Sequence, residues 1–132
     1  MDTLVFLGTG DAMGVPRVYC SCETCMEARS SGDNARLRTS VLIDNGSDFW
    51  IIDCGPDWRR QMELQGRRSM RRLLVTHPHF DHIGGLPEWA DSCRTTGAIL
   101  IASGRVPNIA TTFFIFKKTA FGNGNKTGGV VD

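Results

Sequence analysis

The sequence has no apolar run long enough to cross a bilayer. Stretches such as Leu4–Leu7 and Ile99–Ala102 fall far short of the roughly 20 residues a spanning helix needs. It also lacks an excess of either charge: 15 basic and 14 acidic residues leave +1, which excludes nucleic-acid recognition by bulk charge. Met1-Asp2-Thr3 has no positive start, and Gly8 breaks the apolar run behind it, so no secretory signal is read and the expected location is the cytoplasm. Five cysteines, an odd number, argue against a secreted disulfide framework. With 41% hydrophobic residues the chain is too apolar for a disordered segment. Its 132 residues suit one domain and no more.

What is present is concentrated in two short stretches. Cys20, Cys22 and Cys25 lie within six positions. Thiolates that close can converge on one soft ion such as zinc, with a fourth ligand supplied from elsewhere. Cys54 and Cys93 stand alone and read as buried thiols. All three histidines fall in His77-Pro78-His79-Phe80-Asp81-His82. Pro78 biases His77 toward an extended backbone. Gly84 and Gly85 are expected to allow a tight turn before the next helix. Three imidazoles and a carboxylate crowded together without an ion would leave several polar groups to satisfy.

Hydrophobic patterning predicts strands at residues 3–7, 39–44, 49–53, 73–76 and 98–102. Helices are predicted at residues 23–31, from Pro56 to about Leu64, and at residues 86–92. Asn45-Gly46-Ser47-Asp48 is a hairpin signal. Residues 106–116 fit either a helix or an extended run, and residues 123–129 read as a Gly-rich loop. The order of elements predicts a mixed α/β fold with helices returning onto a sheet. The stretch Arg59–Arg72 sets six arginines against Glu63, either a solvated helix face or a phosphate-facing patch. It has no interleaved aromatics for base stacking.

The spacing His-x-His-x-Asp-His has a chemical logic. On an extended loop His77 and His79 point to the same side and can share one ion. Asp81 and His82 follow where the chain turns and can hold a second. Two ions about 3.5–4 Å apart can share a hydroxide and clamp the oxygens of a phosphoryl group in displacement. The helical His-Glu-x-x-His pattern of mononuclear proteases is absent. Gly8-x-Gly10 with Gly14 has the wrong spacing for a dinucleotide loop, and Pro16 stands where the helix should run.

These residues carry a resemblance. His77–Gly85 after the strand Leu73-Leu74-Val75-Thr76 resembles the signature of the metallo-β-lactamase superfamily. Ile52-Asp53-Cys54-Gly55 resembles its strand-end Asp-x-Gly, which would make Asp53 a support for the metal loop from behind the ligands. The opening Phe6–Pro16, the three cysteines and Arg38-Thr39-Ser40 resemble the phosphoribosyl 1,2-cyclic phosphate phosphodiesterase subfamily. The resemblance covers residues 3–103. It implies an α/β fold, the N-terminal half of an αββα sandwich that is four-layered in the full-length parent. It implies a metal-dependent hydrolase acting through a metal-bound hydroxide on a small cyclic phosphate ester. His77, His79, Asp81 and His82 would hold two catalytic zinc ions, with manganese as a substitute, and Asp81 would also orient the nucleophile. Cys20, Cys22 and Cys25 would hold a structural zinc with a distant histidine.

No histidine follows His82, and only Asp91 and Asp132 are later aspartates. Residues 1–132 are therefore expected to be a partial domain, with activity belonging to a longer parent. The alternatives are an RNA-processing nuclease docking through Arg59–Arg72, a thioester or lactam hydrolase of the same fold, or an inactive zinc-binding fragment. The expected partner is a small phosphate ester rather than a membrane. No oligomeric state follows from the residues.

Overall fold

The structure is a computed structural model that describes residues 2–68, 70–94 and 97–102. The expectations for residues 106–116 and 123–129 lie outside the described residues. Five strands, β1 (Thr3–Gly8), β2 (Ser40–Asp44), β3 (Phe49–Ile52), β4 (Arg72–Val75) and β5 (Ile99–Ala102), form one sheet in the order β1-β2-β3-β4-β5. The helices are α1 (Glu23–Ser30), α2 (Trp58–Leu64), α3 (Phe80–Ile83) and α4 (Leu86–Ser92). β1, β2 and β3 pair antiparallel, whereas β3, β4 and β5 pair parallel. Parallel neighbours need a crossover. It is supplied by α2 between β3 and β4, and by α3 and α4 between β4 and β5.

The β2–β3 hairpin closes through its side chains. Asn45 Oδ1 accepts from the backbone N–H of Ser47 and Asp48, and Gly46 takes φ +85°. Registry then sets the sheet faces, because side chains alternate along a strand. Val5, Leu42, Ile51, Leu73 and Leu100 fall in one row across all five strands. That row packs with Trp58, Met62, Leu86, Trp89 and Cys93 into a single core. The opposite face is also apolar, with Leu4, Phe6, Ile99 and Ile101 exposed. Leu42, Ile51 and Leu73 are each at most 1% exposed. Truncating such a residue to alanine costs about 2–5 kcal/mol.

The structure refines the local expectations at three points. The histidine stretch is not all loop: Phe80–Ile83 forms a helical turn with His79 as its N-cap residue. Gly84 and Gly85 sit at φ −61° and −87°, so neither uses glycine's left-handed freedom. They are needed for close packing. A Cβ on Gly85 would stand 2.3 Å from the Gly55 carbonyl oxygen, and one on Gly84 2.8 Å from that of Phe80. Helix α2 begins two residues after Pro56. The Asp57 carboxylate does not cap it, being engaged instead by the backbone N–H and guanidinium of Arg38 at 2.8 and 2.9 Å.

Candidate metal centre

The histidine stretch leaves the C-terminal end of β4, and Asp53 leaves the adjacent end of β3. At that point Asp53 turns into the left-handed region with φ +62°, a conformation that costs most residues energy and that Asp tolerates better than most. The turn is laced to the histidine stretch by backbone hydrogen bonds. Cys54 N–H donates to His82 O at 2.8 Å, and Gly85 N–H donates to Cys54 O at 2.9 Å. Gly55 permits this approach, since a Cβ there would lie 2.1 Å from Asp81 O.

Asp53 is buried, and its carboxylate meets three donors. Oδ1 accepts from Thr76 N–H at 2.8 Å. Thr76 Oγ1 lies 3.0 and 2.8 Å from the two carboxylate oxygens. His82 Nδ1 lies 2.7 Å from Oδ2. A carboxylate only accepts, so His82 carries its proton on Nδ1 and turns the lone pair of Nε2 outward. That Nε2 stands 3.0 Å from Asp81 Oδ2. Two acceptors at hydrogen-bond distance repel unless a second ring proton or a cation lies between them.

The other two rings close the cluster. His77 lies against His82 with centroids 3.9 Å apart and the rings tilted by 48°, and His79 meets His77 edge-on at 4.7 Å. The expected four residues are thus brought to one place. Among the described residues they form no group of three with all ligating atoms within 4.8 Å of one another.

The cysteine stretch does converge in threes. The sulfurs of Cys20, Cys22 and Cys25 all lie within 4.8 Å of one another, and Cys20 and Cys22 are 3.3 Å apart. Sulfurs on a tetrahedral zinc at about 2.3 Å would stand roughly 3.8 Å apart, so the set fits that ion. The Cys20 thiol is held below its usual value, first by the Cys22 backbone N–H and then by the neighbouring thiols. Cys25 gains from the Arg17 backbone, but burial and the adjacent sulfurs outweigh it and raise the thiol. Cys54 and Cys93 are buried as expected, and burial pushes Cys54 well above the ordinary thiol range.

Two contributors were not singled out from the sequence. Thr76 was read only as the end of a strand. Arg29 clamps the cysteine loop, its guanidinium donating to the carbonyls of Arg17, Val18, Cys20 and Cys25. An arginine in a short helix gives no signal of such a role. The Gly8–Pro16 loop packs its backbone against residues 36–39. Gly10 N–H donates to Leu37 O, and a Cβ on Gly8 would meet Arg38 O at 2.1 Å. Of the six arginines in Arg59–Arg72, four face carboxylates: Arg59 with Glu88, Arg67 with Asp44, Arg68 with Glu63 and Arg72 with Asp48.

The model of the metallo-beta-lactamase superfamily matches residues 33–108. An octanoyltransferase of Porphyromonas gingivalis is 42% identical over 91 residues, covering 67% of this chain and 18% of that protein. The crystal structure of a diphosphatase from the PhnP family superposes with a TM-score of 0.77 at 32% identity, over 88% of this chain and 47% of the other. Zinc-bound PqqB from Methylobacterium extorquens superposes with a TM-score of 0.67 at 25% identity, over 84% and 40%. The chain therefore spans less than half the length of each of these proteins.

Proposed function

The chain belongs to the metallo-beta-lactamase superfamily, and from that premise we propose that it carries the metal-loop half of a two-ion phosphodiesterase for small cyclic phosphate esters. Metal-dependent hydrolysis is the usual chemistry of that fold. The observation that supports a metal at this loop is the Nε2 of His82 facing Asp81 Oδ2 at 3.0 Å while Nδ1 is committed to Asp53. His77 and His79 would hold one ion, and Asp81 and His82 the second. Zinc is the default, as in the zinc-bound PqqB neighbour, and manganese is the substitute. When bound, such ions supply Lewis acidity and an activated water.

The chain's own residues do the rest. Asp53 orients His82 from behind, and Asp81 accepts a hydrogen bond from the attacking water. Cys20, Cys22 and Cys25 would hold a third zinc, which would fix the loop leading into α1. The apolar outer face of the sheet is where the second layer of the sandwich would sit, consistent with residues 1–132 as a partial domain. The diphosphatase neighbour supports phosphoryl chemistry. The paired arginines speak against docking of an RNA backbone through Arg59–Arg72.

The test is metal analysis and hydrolysis of a cyclic phosphodiester by the full-length parent protein, with His79→Ala and Asp81→Ala beside it. Zinc bound beyond the cysteine cluster, lost together with turnover in both variants, is the expected result. Full turnover in both variants would overturn the reading.

A further inference from the structure

Thr76 Oγ1 lies within 3.0 Å of three partners: both oxygens of Asp53 and Nδ1 of His77 at 3.0 Å. A hydroxyl has one proton to donate. The carboxylate has none to give, so that proton goes to Asp53. The hydroxyl oxygen then accepts, and the only donor His77 can offer it is Nδ1–H. The lone pair of His77 is thereby placed on Nε2, as it is in His82. One buried carboxylate thus sets two rings, His82 by direct contact and His77 through a hydroxyl.

We propose that Thr76 is a positioning residue that relays the Asp53 carboxylate to His77 and fixes which ring nitrogen that histidine offers to an ion. The proposal rests on the reading of His77 as a metal ligand, but the relay can be observed without metal. The Thr76 side chain is exposed at the end of β4, and the Thr76 N–H bond to Asp53 does not depend on it. Thr76→Val therefore removes the hydroxyl while keeping shape and backbone, and Thr76→Ser restores the hydroxyl alone.

The experiment records long-range proton–nitrogen spectra of the imidazoles in metal-free protein, at a pH where the rings are neutral, followed by zinc titration. In the parent and in Thr76→Ser, His77 and His82 should both carry the proton on Nδ1. In Thr76→Val, His77 should move toward the Nε2–H form that free imidazoles favour, while His82 stays unchanged. Zinc affinity should fall about 10–100-fold in Thr76→Val, as for other partners of ligating histidines, and recover in Thr76→Ser. An unchanged His77 in Thr76→Val, or His82 shifting in parallel, would overturn the relay. The predicted spectra without zinc binding at the loop would leave the relay standing and overturn the metal reading.

Discussion

Asp53 and His82 are 29 positions apart in sequence and meet at 2.7 Å, carboxylate oxygen to ring nitrogen, at the shared end of β3 and β4. The contact exists because β3 and β4 run parallel, so both chains leave the sheet on the same side. Asp53→Asn tests its chemistry. Asparagine tolerates the left-handed backbone about as well as aspartate, so strain is not altered. Its amide offers at most one acceptor oxygen where the carboxylate offered two. One of the donors from Thr76 and His82 therefore loses its partner. Zinc affinity at the histidine loop should drop about 10–100-fold, with a stability loss of about 1–3 kcal/mol for the unsatisfied group. Calorimetric zinc titration and urea unfolding measure the two. Unchanged affinity would remove Asp53 from the site.

Gly55→Ala probes the same junction through packing. Its Cβ would stand 2.1 Å from the backbone oxygen of Asp81, and backbone cannot swing aside as a side chain can. Overpacking of this kind costs about 1–3 kcal/mol, and relief would push Asp81 and His82 away from Asp53. The expected outcome is a lower unfolding midpoint together with weaker zinc binding. Gly46→Ala, in the hairpin turn where nothing lies within 4 Å, should lower stability through its positive φ without touching zinc affinity.

The sequence carried more of the centre than of its supports. Alternation of apolar residues located every described strand to within a residue or two, and the clustering of His77, His79, Asp81 and His82 announced a site without any knowledge of the fold. Periodicity could not show that Phe80–Ile83 winds into a turn, because four residues are too few for a helical pattern. Nor could it show why Gly84 and Gly85 are glycine. For Gly84 the reason is the Phe80 carbonyl and ring in its own turn, and for Gly85 it is the Gly55 carbonyl 30 positions away, which only the register of β3 on β4 brings there. Thr76 and Arg29 act by single hydrogen bonds to partners fixed by tertiary structure, and residues of that kind leave no pattern in sequence.

Trp89 links the core to the same scaffold. It is fully buried, and its indole N–H donates to the carbonyl of Met70, just ahead of β4. Trp89→Phe keeps most of the apolar surface but leaves that carbonyl with only the weak Cys93 thiol donor at 3.4 Å, at a cost of about 0.5–1.5 kcal/mol for the lost bond. Trp89→Ala should cost about 3–5 kcal/mol. Comparing the two by chemical denaturation separates the hydrogen bond from the cavity. A negligible loss in Trp89→Phe beside the full loss in Trp89→Ala would mean the indole N–H contributes nothing.

Thiol chemistry tests the cysteine cluster independently of the histidines. Cys20 is held below the ordinary thiol value, so at neutral pH it has the larger thiolate fraction and should react first with iodoacetamide. Its rate should level off at a lower pH than that of a free thiol. Cys54, buried and pushed up, stays protonated across that range and should react only after unfolding. Zinc occupies thiolates, so adding it should protect Cys20 and Cys22, and a chelator should restore their reactivity. Arg29→Ala removes the guanidinium that holds four carbonyls of the loop, which should loosen the sulfurs and weaken this protection while zinc binding at the histidines is unaffected. If zinc leaves the alkylation rates of Cys20 and Cys22 unchanged, the three sulfurs are a packed loop and not a metal site.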